Sequence, residues 1–252
     1  IKTVTCADDW ARMTPMDEND PFITKQVERA RGVVEGVKGE CCVFYNVFCP
    51  MSLMRFGIGW DMLMSHLREN PEAMCHAFMV AAEDLKTLTR RLIQEAGCDG
   101  IYYCVQNAEE FRFTAEEYRR LVTPSDLEVL NYANTLSDNN ILHCCGWDGN
   151  KNRVEVWQDY PAHTVNWAVY VEGMSLPEGR KFFGCDCVLG GFDNRKEGVL
   201  YSGTREEIEK EAERVIAEAG KCGVIIGADC TLPSDIPTER LQWLRKKLDE
   251  LS

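Results

Sequence analysis

Asn139-Asn140-Ile141-Leu142-His143-Cys144-Cys145-Gly146 is a short run with strand character that ends in a histidine and a cysteine two residues apart. Alternate side chains of an extended strand share a face, so we expect His143 and Cys145 to point one way and Cys144 the other. The pair alone is ambiguous, because His-x-Cys occurs by chance and cysteine is often a small buried hydrophobic residue. A third ligand from elsewhere in the chain would favour a metal site over core packing.

Five more runs with strand character occur along the chain, at residues 41–49, 99–105, 164–169, 186–190 and 223–228. The first of these is continuously apolar and is stopped by a proline, which is typical of a strand buried on both faces. Apolar residues recur at helical spacing between the runs. Capping signals open several of these segments: Asn70 before Pro71, and two capping boxes, Thr114 with Glu117 and Thr204 with Glu207. We predict helices over 23–37, 71–96, 125–136, 205–219 and 238–248, a further helix that begins after Thr114, and a short helical turn at 177–182.

Strict alternation of strands and helices predicts an α/β fold with a parallel sheet and helical crossovers. The length of 252 residues suits a TIM-type (β/α)8 barrel, which uses about 250 residues. The sequence shows six strands, so either two are unrecognised or the chain lacks the first one or two strand–helix units of the barrel. An open doubly wound sheet is the alternative, but no Gly-x-Gly-x-x-Gly follows any strand. Because no linker or repeat interrupts the pattern, we predict a single, N-terminally incomplete barrel domain over 1–252.

The composition excludes several classes of partner. A net charge of −13 argues against nucleic acid and anionic membranes, since no basic stripe is available to replace released counterions. No apolar run approaches the roughly 20 residues that span a bilayer. The 13 cysteines lie largely in apolar runs of a large chain without a signal-like start, which favours reduced thiols or metal thiolates in the cytoplasm over a disulfide framework.

The third ligand is predicted at Cys230, just beyond the last strand-like run. A parallel barrel delivers the carboxyl end of every strand to one face, and active sites collect there. His143, Cys145 and Cys230 therefore meet at one mouth of the predicted barrel. One histidine and two cysteines form a zinc set that leaves a fourth position for water or substrate. Sulfur ligands favour zinc over magnesium or calcium.

Four motifs carry a family resemblance: Ile141-Leu142-His143-Cys144-Cys145-Gly146, Gly190-Gly191-Phe192-Asp193, the segment 200–208, and Gly227-Ala228-Asp229-Cys230-Thr231-Leu232-Pro233. In these the chain resembles the uroporphyrinogen decarboxylase superfamily, and within it the zinc-dependent methylcobalamin:coenzyme M methyltransferase-like branch. The resemblance implies that His143, Cys145 and Cys230 bind catalytic zinc, and that Asp193 lies near the substrate. It also implies the activity: a small thiol, activated as a zinc thiolate, takes a methyl group from a corrinoid carried by a separate protein.

Two other functions stay open at this point. One is a cofactor-free decarboxylase acting on a tetrapyrrole, although decarboxylases of the family have Gly-Asn-x-Asp and Gly-His-Gly where this chain has Gly190-Gly191-Phe192-Asp193 and Asp229-Cys230-Thr231. The other is a non-catalytic family member that holds zinc structurally or serves as a partner subunit. Zinc content separates the first possibility from methyl transfer, and an open coordination position separates the second.

Overall fold

Strands alternate with helices along the residues that the computed structural model describes, 4–146 and 149–251. By their internal contacts these residues form two units, the first ending at Leu142 and the second beginning at His143. Strand β3 (Ile141–Cys144) crosses that boundary. The α/β class is therefore confirmed.

The first unit holds two parallel strands, β1 (Phe44–Phe48) and β2 (Gly100–Val105), whose register pairs Phe44 with Gly100. Its helices are α1 (Pro21–Val37), α2 (Pro50–Ile58), α3 (Trp60–Glu69), α4 (Pro71–Gln94), α5 (Ala115–Leu121) and α6 (Thr123–Asn134), preceded by a 3-10 helix at Ala7–Arg12. The long helix α4 packs against α6, α2 and the 3-10 helix. It forms the centre of this unit's core.

The second unit holds the strands β4 (Thr164–Trp167), β5 (Cys187–Phe192) and β6 (Val224–Ala228). Strand β5 pairs in parallel with both of the others. The helices are α7 (Val169–Glu172), α8 (Leu176–Phe183), α9 (Val199–Ser202), α10 (Arg205–Ala219) and α11 (Thr238–Leu251), and a 3-10 helix covers Val154–Val156. In both units, strands that follow each other along the chain are neighbours in the sheet, the order found in (β/α) barrels.

The capping signals predicted the helix starts well. Asn70 accepts a hydrogen bond from the amide of Ala73 at 3.0 Å, with Pro71 in the first turn of α4. The capping boxes at Thr114 and Thr204 are also present. A side chain that satisfies an orphan amide fixes where a helix begins, independently of the packing around it.

Two sequence-based expectations about the first unit were wrong. Strand β1 is not buried on both faces, because Asn46 is exposed and a cavity of about 940 Å³ lies beside the strand. Pro50, interpreted only as the end of β1, is also the first residue of α2. Proline suits the first turn of a helix, since the amide it lacks would have no partner there. Helix α2 was missed for this reason.

Six strands are found among residues 4–146 and 149–251, and no further strand was overlooked within those ranges.

No helix in the described part of the chain is both long and apolar enough to cross a membrane.

Candidate metal centre

Three side chains of the second unit converge on one point: His143, Cys145 and Cys230. The sulfur of Cys230 lies 3.4 Å from Nε2 of His143 and 3.7 Å from the sulfur of Cys145. All three ligand atoms lie within 4.8 Å of one another, and all three residues are buried. The structure therefore brings together the three residues that were predicted from the sequence as zinc ligands.

The strands position these groups from their carboxyl ends. His143 is the third residue of β3, and Cys145 follows its last residue. Cys230 comes two residues after the end of β6. Cys144 is buried but does not belong to the converging group, as alternation along a strand requires.

Asn166 of β4 fixes the orientation and the tautomer of His143. Its Nδ2 donates to the carbonyl of Leu189 at 2.7 Å, so its Oδ1 is the atom that faces Nδ1 of His143, in a short hydrogen bond. An amide oxygen only accepts, which means that Nδ1 carries the proton and Nε2 presents a lone pair toward the sulfurs. An imidazole held this way is a prepared metal ligand.

Glycine at the end of β5 allows these groups to approach. Gly190 has a φ of +140°, and a Cβ there would lie 3.0 Å from Oδ1 of Asp229 and 3.4 Å from Nδ2 of Asn166. The amide of the next residue, Gly191, donates to Oδ1 of Asp229 at 2.9 Å. A side chain at position 190 would therefore displace both the residue before Cys230 and the residue that orients His143.

A hydrogen bond joins the sulfurs of Cys145 and Cys230. Its hydrogen bond to Cys230, together with burial, raises the pKa of Cys145 to about 12. The same hydrogen bond lowers the pKa of Cys230 below its ordinary value. A metal ion that binds both sulfurs would displace the proton between them.

A hydrogen-bond network centred on Glu172 reaches the backbone of Cys145. Glu172 accepts a hydrogen bond from Nδ2 of Asn152 at 2.8 Å, and the same amide group donates to the carbonyl of Cys145 at 3.3 Å. Gly146 leaves room for this arrangement, because a Cβ there would lie 2.7 Å from that of Ala168. Glu172 thus holds the backbone of a ligand residue in place.

Asp193, the predicted substrate contact, is paired with Arg195. Asp193 accepts two hydrogen bonds from the guanidinium of Arg195, at 2.9 and 2.7 Å, and one from its amide. Although burial acts to raise the pKa of Asp193, these hydrogen bonds lower it overall. A substrate contact for Asp193 stays a prediction. Asp229 is almost fully buried, which raises its pKa to about 7.

Sequence analysis overlooked Asn166 and Asn152. Asn166 carried a usable signal: it is a polar residue between Val165 and Trp167 in a short apolar strand, where an amide is costly unless it is hydrogen-bonded. Asn152 lies in a loop and carried no such signal. Its role depends on Glu172, which is 20 residues away.

The donor set and its spacing fit zinc. Tetrahedral zinc with Zn–S bonds of about 2.3 Å and a Zn–N bond of about 2.0–2.1 Å places two sulfurs about 3.8 Å apart and a sulfur and a nitrogen about 3.6 Å apart. The corresponding distances here are 3.7 Å and 3.4 Å. The residues that would hold the ion are therefore already close to coordinating geometry.

The family model described as uroporphyrinogen decarboxylase (URO-D) matches residues 1–251. A search of the curated proteins finds no significant match.

Proposed function

The chain belongs to the uroporphyrinogen decarboxylase family, and on that basis and the geometry of its metal centre we propose that it is a zinc-dependent methyltransferase. The methyl group moves from a corrinoid, carried by a separate protein, to a small thiol. The observation that carries the proposal is the convergence of His143, Cys145 and Cys230 on one point.

The number of ligands favours a catalytic over a structural site. Structural zinc is closed by four protein ligands, whereas catalytic zinc has three and an open position. Among the described residues, the group of possible ligands contains three members. This difference also separates methyl transfer from a non-catalytic family member.

The three ligands prepare the site for an electron-rich acceptor. Two thiolates, from Cys145 and Cys230, would balance the charge of a divalent ion. His143 adds a neutral donor, because its Nδ1–H is hydrogen-bonded to Oδ1 of Asn166 and its Nε2 is free of a proton. When bound, zinc supplies a Lewis acid that lowers the pKa of a thiol entering the fourth position. Two thiolate ligands donate electron density to the ion. An acceptor sulfur bound beside them is therefore more nucleophilic than it would be beside oxygen or nitrogen ligands.

The reaction that fits is a displacement at carbon. The acceptor sulfur forms a bond to the methyl carbon as the cobalt–carbon bond breaks, and that bond's electron pair stays on the cobalt. The thiol proton leaves to solvent before the attack. The protein contributes by holding the acceptor in line with the methyl group.

The test is demethylation of methylcobalamin, followed by its visible spectrum, with coenzyme M and other small thiols as acceptors. We expect zinc-loaded protein to demethylate methylcobalamin and Cys230→Ala to lose this activity. Cys187→Ala, which alters a half-buried thiol outside the metal centre, should retain it. Turnover of uroporphyrinogen with release of carbon dioxide and no demethylation would instead establish the decarboxylase alternative.

A further inference from the structure

The first unit contains a cavity of about 940 Å³ beside strand β1, which we name the β1 cavity. Its walls come from β1, from helices α1, α2 and α4, and from the 3-10 helix, which contribute among others Val47, Ile23, Met54, Leu85 and Trp10. This volume lies in the range of small-molecule sites, about 300–1,000 Å³. None of the lining residues belongs to the metal centre, so the inference goes beyond the proposed function.

The β1 cavity is largely apolar. Ile23, Val47 and Leu85 are buried in its walls. Two other lining residues are exposed although they are large and apolar: Phe22 by 57% and Met16 by 40%. Neighbouring apolar side chains that stay open to solvent mark binding sites on soluble proteins. The cavity therefore suits the apolar body of a ligand.

Asp84 of α4 is a buried carboxylate in the wall of this cavity. It is 9% exposed, and its Oδ1 accepts a hydrogen bond from the amide of Met16 at 2.8 Å. Within residues 4–146 and 149–251, Asp84 has no further hydrogen bond and no ion pair with a lysine, arginine or histidine. An ionised carboxylate accepts about four hydrogen bonds, so most of its capacity is left for a donor. Burial of such a charge is costly unless a cation compensates it.

The second carboxylate that lines the cavity, Asp9, is already saturated. It accepts hydrogen bonds from the amide and the hydroxyl of Thr5, at 2.7 and 2.8 Å, and from the amide of Cys6 at 3.1 Å. It also pairs with Arg12, whose own charge is thereby compensated. Asp84 is therefore the carboxylate of the cavity that can still receive a ligand.

The electrostatic environment of Asp84 favours a positive ligand. Burial raises the pKa of Asp84 above its ordinary value, and the negative charges of Asp20 and Glu83 raise it further. All three effects disfavour the ionised carboxylate, and a cation placed beside it would oppose them. An anionic ligand would instead meet repulsion from the same groups.

We propose that the β1 cavity binds a small organic ammonium compound with an apolar body. The ammonium group donates charge-assisted hydrogen bonds to the free positions of the Asp84 carboxylate. The apolar body fills the cavity and covers Phe22 and Met16, which removes apolar surface from water.

The test compares hexylamine, 1-hexanol and hexanoate by calorimetry at pH 7, on the zinc-loaded full chain in amine-free buffer. The three probes share an alkyl chain and differ in charge. An alkylamine is protonated at this pH, as lysine is, and so does not compete for zinc. We expect saturable binding of hexylamine, about tenfold tighter than that of 1-hexanol, with hexanoate the weakest. Equal affinity for hexylamine and 1-hexanol, or no saturable binding of hexylamine, would overturn the proposal.

Asp84→Asn removes the charge and keeps an acceptor for the amide of Met16. We expect its affinity for hexylamine to fall about tenfold, to the level of 1-hexanol, while the affinity for 1-hexanol stays the same. Asp61→Asn removes the same charge at an exposed position of α3 and should bind hexylamine like the wild type. The same hexylamine affinity in the two variants would contradict the assignment of Asp84.

Gly57→Phe tests the location of the ligand independently of Asp84. Gly57 lines the cavity, and a Cβ there meets no atom within 4 Å, so the new ring enters open space. We expect it to weaken hexylamine and 1-hexanol alike. Gly36→Phe, at an equally open position of α1 outside the cavity, should leave both affinities unchanged. Equal binding in the two glycine variants would place the ligand elsewhere. Zinc content should stay at the wild-type level in all four variants, which separates this site from the metal centre.

Discussion

The sulfur atoms of Cys145 and Cys230 lie 3.7 Å apart, although 85 residues separate them in the chain. A distance of this size suits two thiols that share one proton or two thiolates that share one zinc ion. The contact joins the end of β3 to the end of β6. Protonation and metal binding at each sulfur therefore depend on the other.

Zinc binding should depend on Cys230. Cys230→Ala removes one of three ligands, and we expect the purified variant to lose most of its zinc because two remaining ligands hold the ion weakly. Metal analysis by plasma mass spectrometry checks this. Cys187→Ala is the matched control and should keep the wild-type content. An unaltered zinc-to-protein ratio in Cys230→Ala would remove the metal centre from consideration.

Asn166 should tune zinc affinity without touching the ion. Asn166→Leu deprives Nδ1 of His143 of its acceptor, and loss of such a partner lowers metal affinity about 10–100-fold. Asn166→Asp keeps an acceptor at the same place and should retain tight binding. Competition with a chromophoric chelator measures both affinities. If the two variants bind zinc equally well, Asn166 does not orient the histidine.

Gly191 should tolerate no side chain. Its φ is +108°, and a Cβ there would lie 2.7 Å from Cγ1 of Val215. Gly191→Ala combines backbone strain with overpacking, so we expect a loss of about 2 kcal/mol or more in the free energy of unfolding. Gly36→Ala, in α1 with no atom within 4 Å of its Cβ, should be neutral or stabilising. Urea denaturation compares them, and similar midpoints would contradict this account.

Asp84 should destabilise the protein at neutral pH. Burial raises its pKa above the ordinary value of 3.8, so the folded state binds its proton more tightly than the unfolded chain does. The contribution to stability is therefore favourable at low pH and is lost as pH rises above 3.8 through the folded-state pKa.

Asp84→Asn keeps an acceptor for the amide of Met16, which lies 2.8 Å away. We expect this variant to be more stable than the wild type at pH 7, by less than about 1 kcal/mol, with a difference that shrinks in acid. Asp61→Asn, at an exposed position of α3, removes the same charge and serves as the control. Thermal unfolding across pH measures the difference, and a gain that grows as pH falls would reverse the assignment.

Local signals predicted most of the helices and strands, because a cap or an apolar period is a property of neighbouring residues. Asn70 and Thr204 mark helix starts through hydrogen bonds to amides three residues away, which no distant packing alters. Met74 and Phe78 of α4 are buried, in agreement with the helical spacing of apolar residues in that segment. The exposure of Asn46 did not, since it depends on a cavity formed by other elements.

The sequence by itself determined that the chain is an α/β protein and that His143, Cys145 and Cys230 are its candidate ligands, because strand alternation and residue chemistry are local properties. Only the tertiary structure decided that a buried asparagine of β4 sets the tautomer of His143 and that glycine at position 190 makes room for it. Such relations depend on distances between segments far apart in the chain, and no local pattern encodes them.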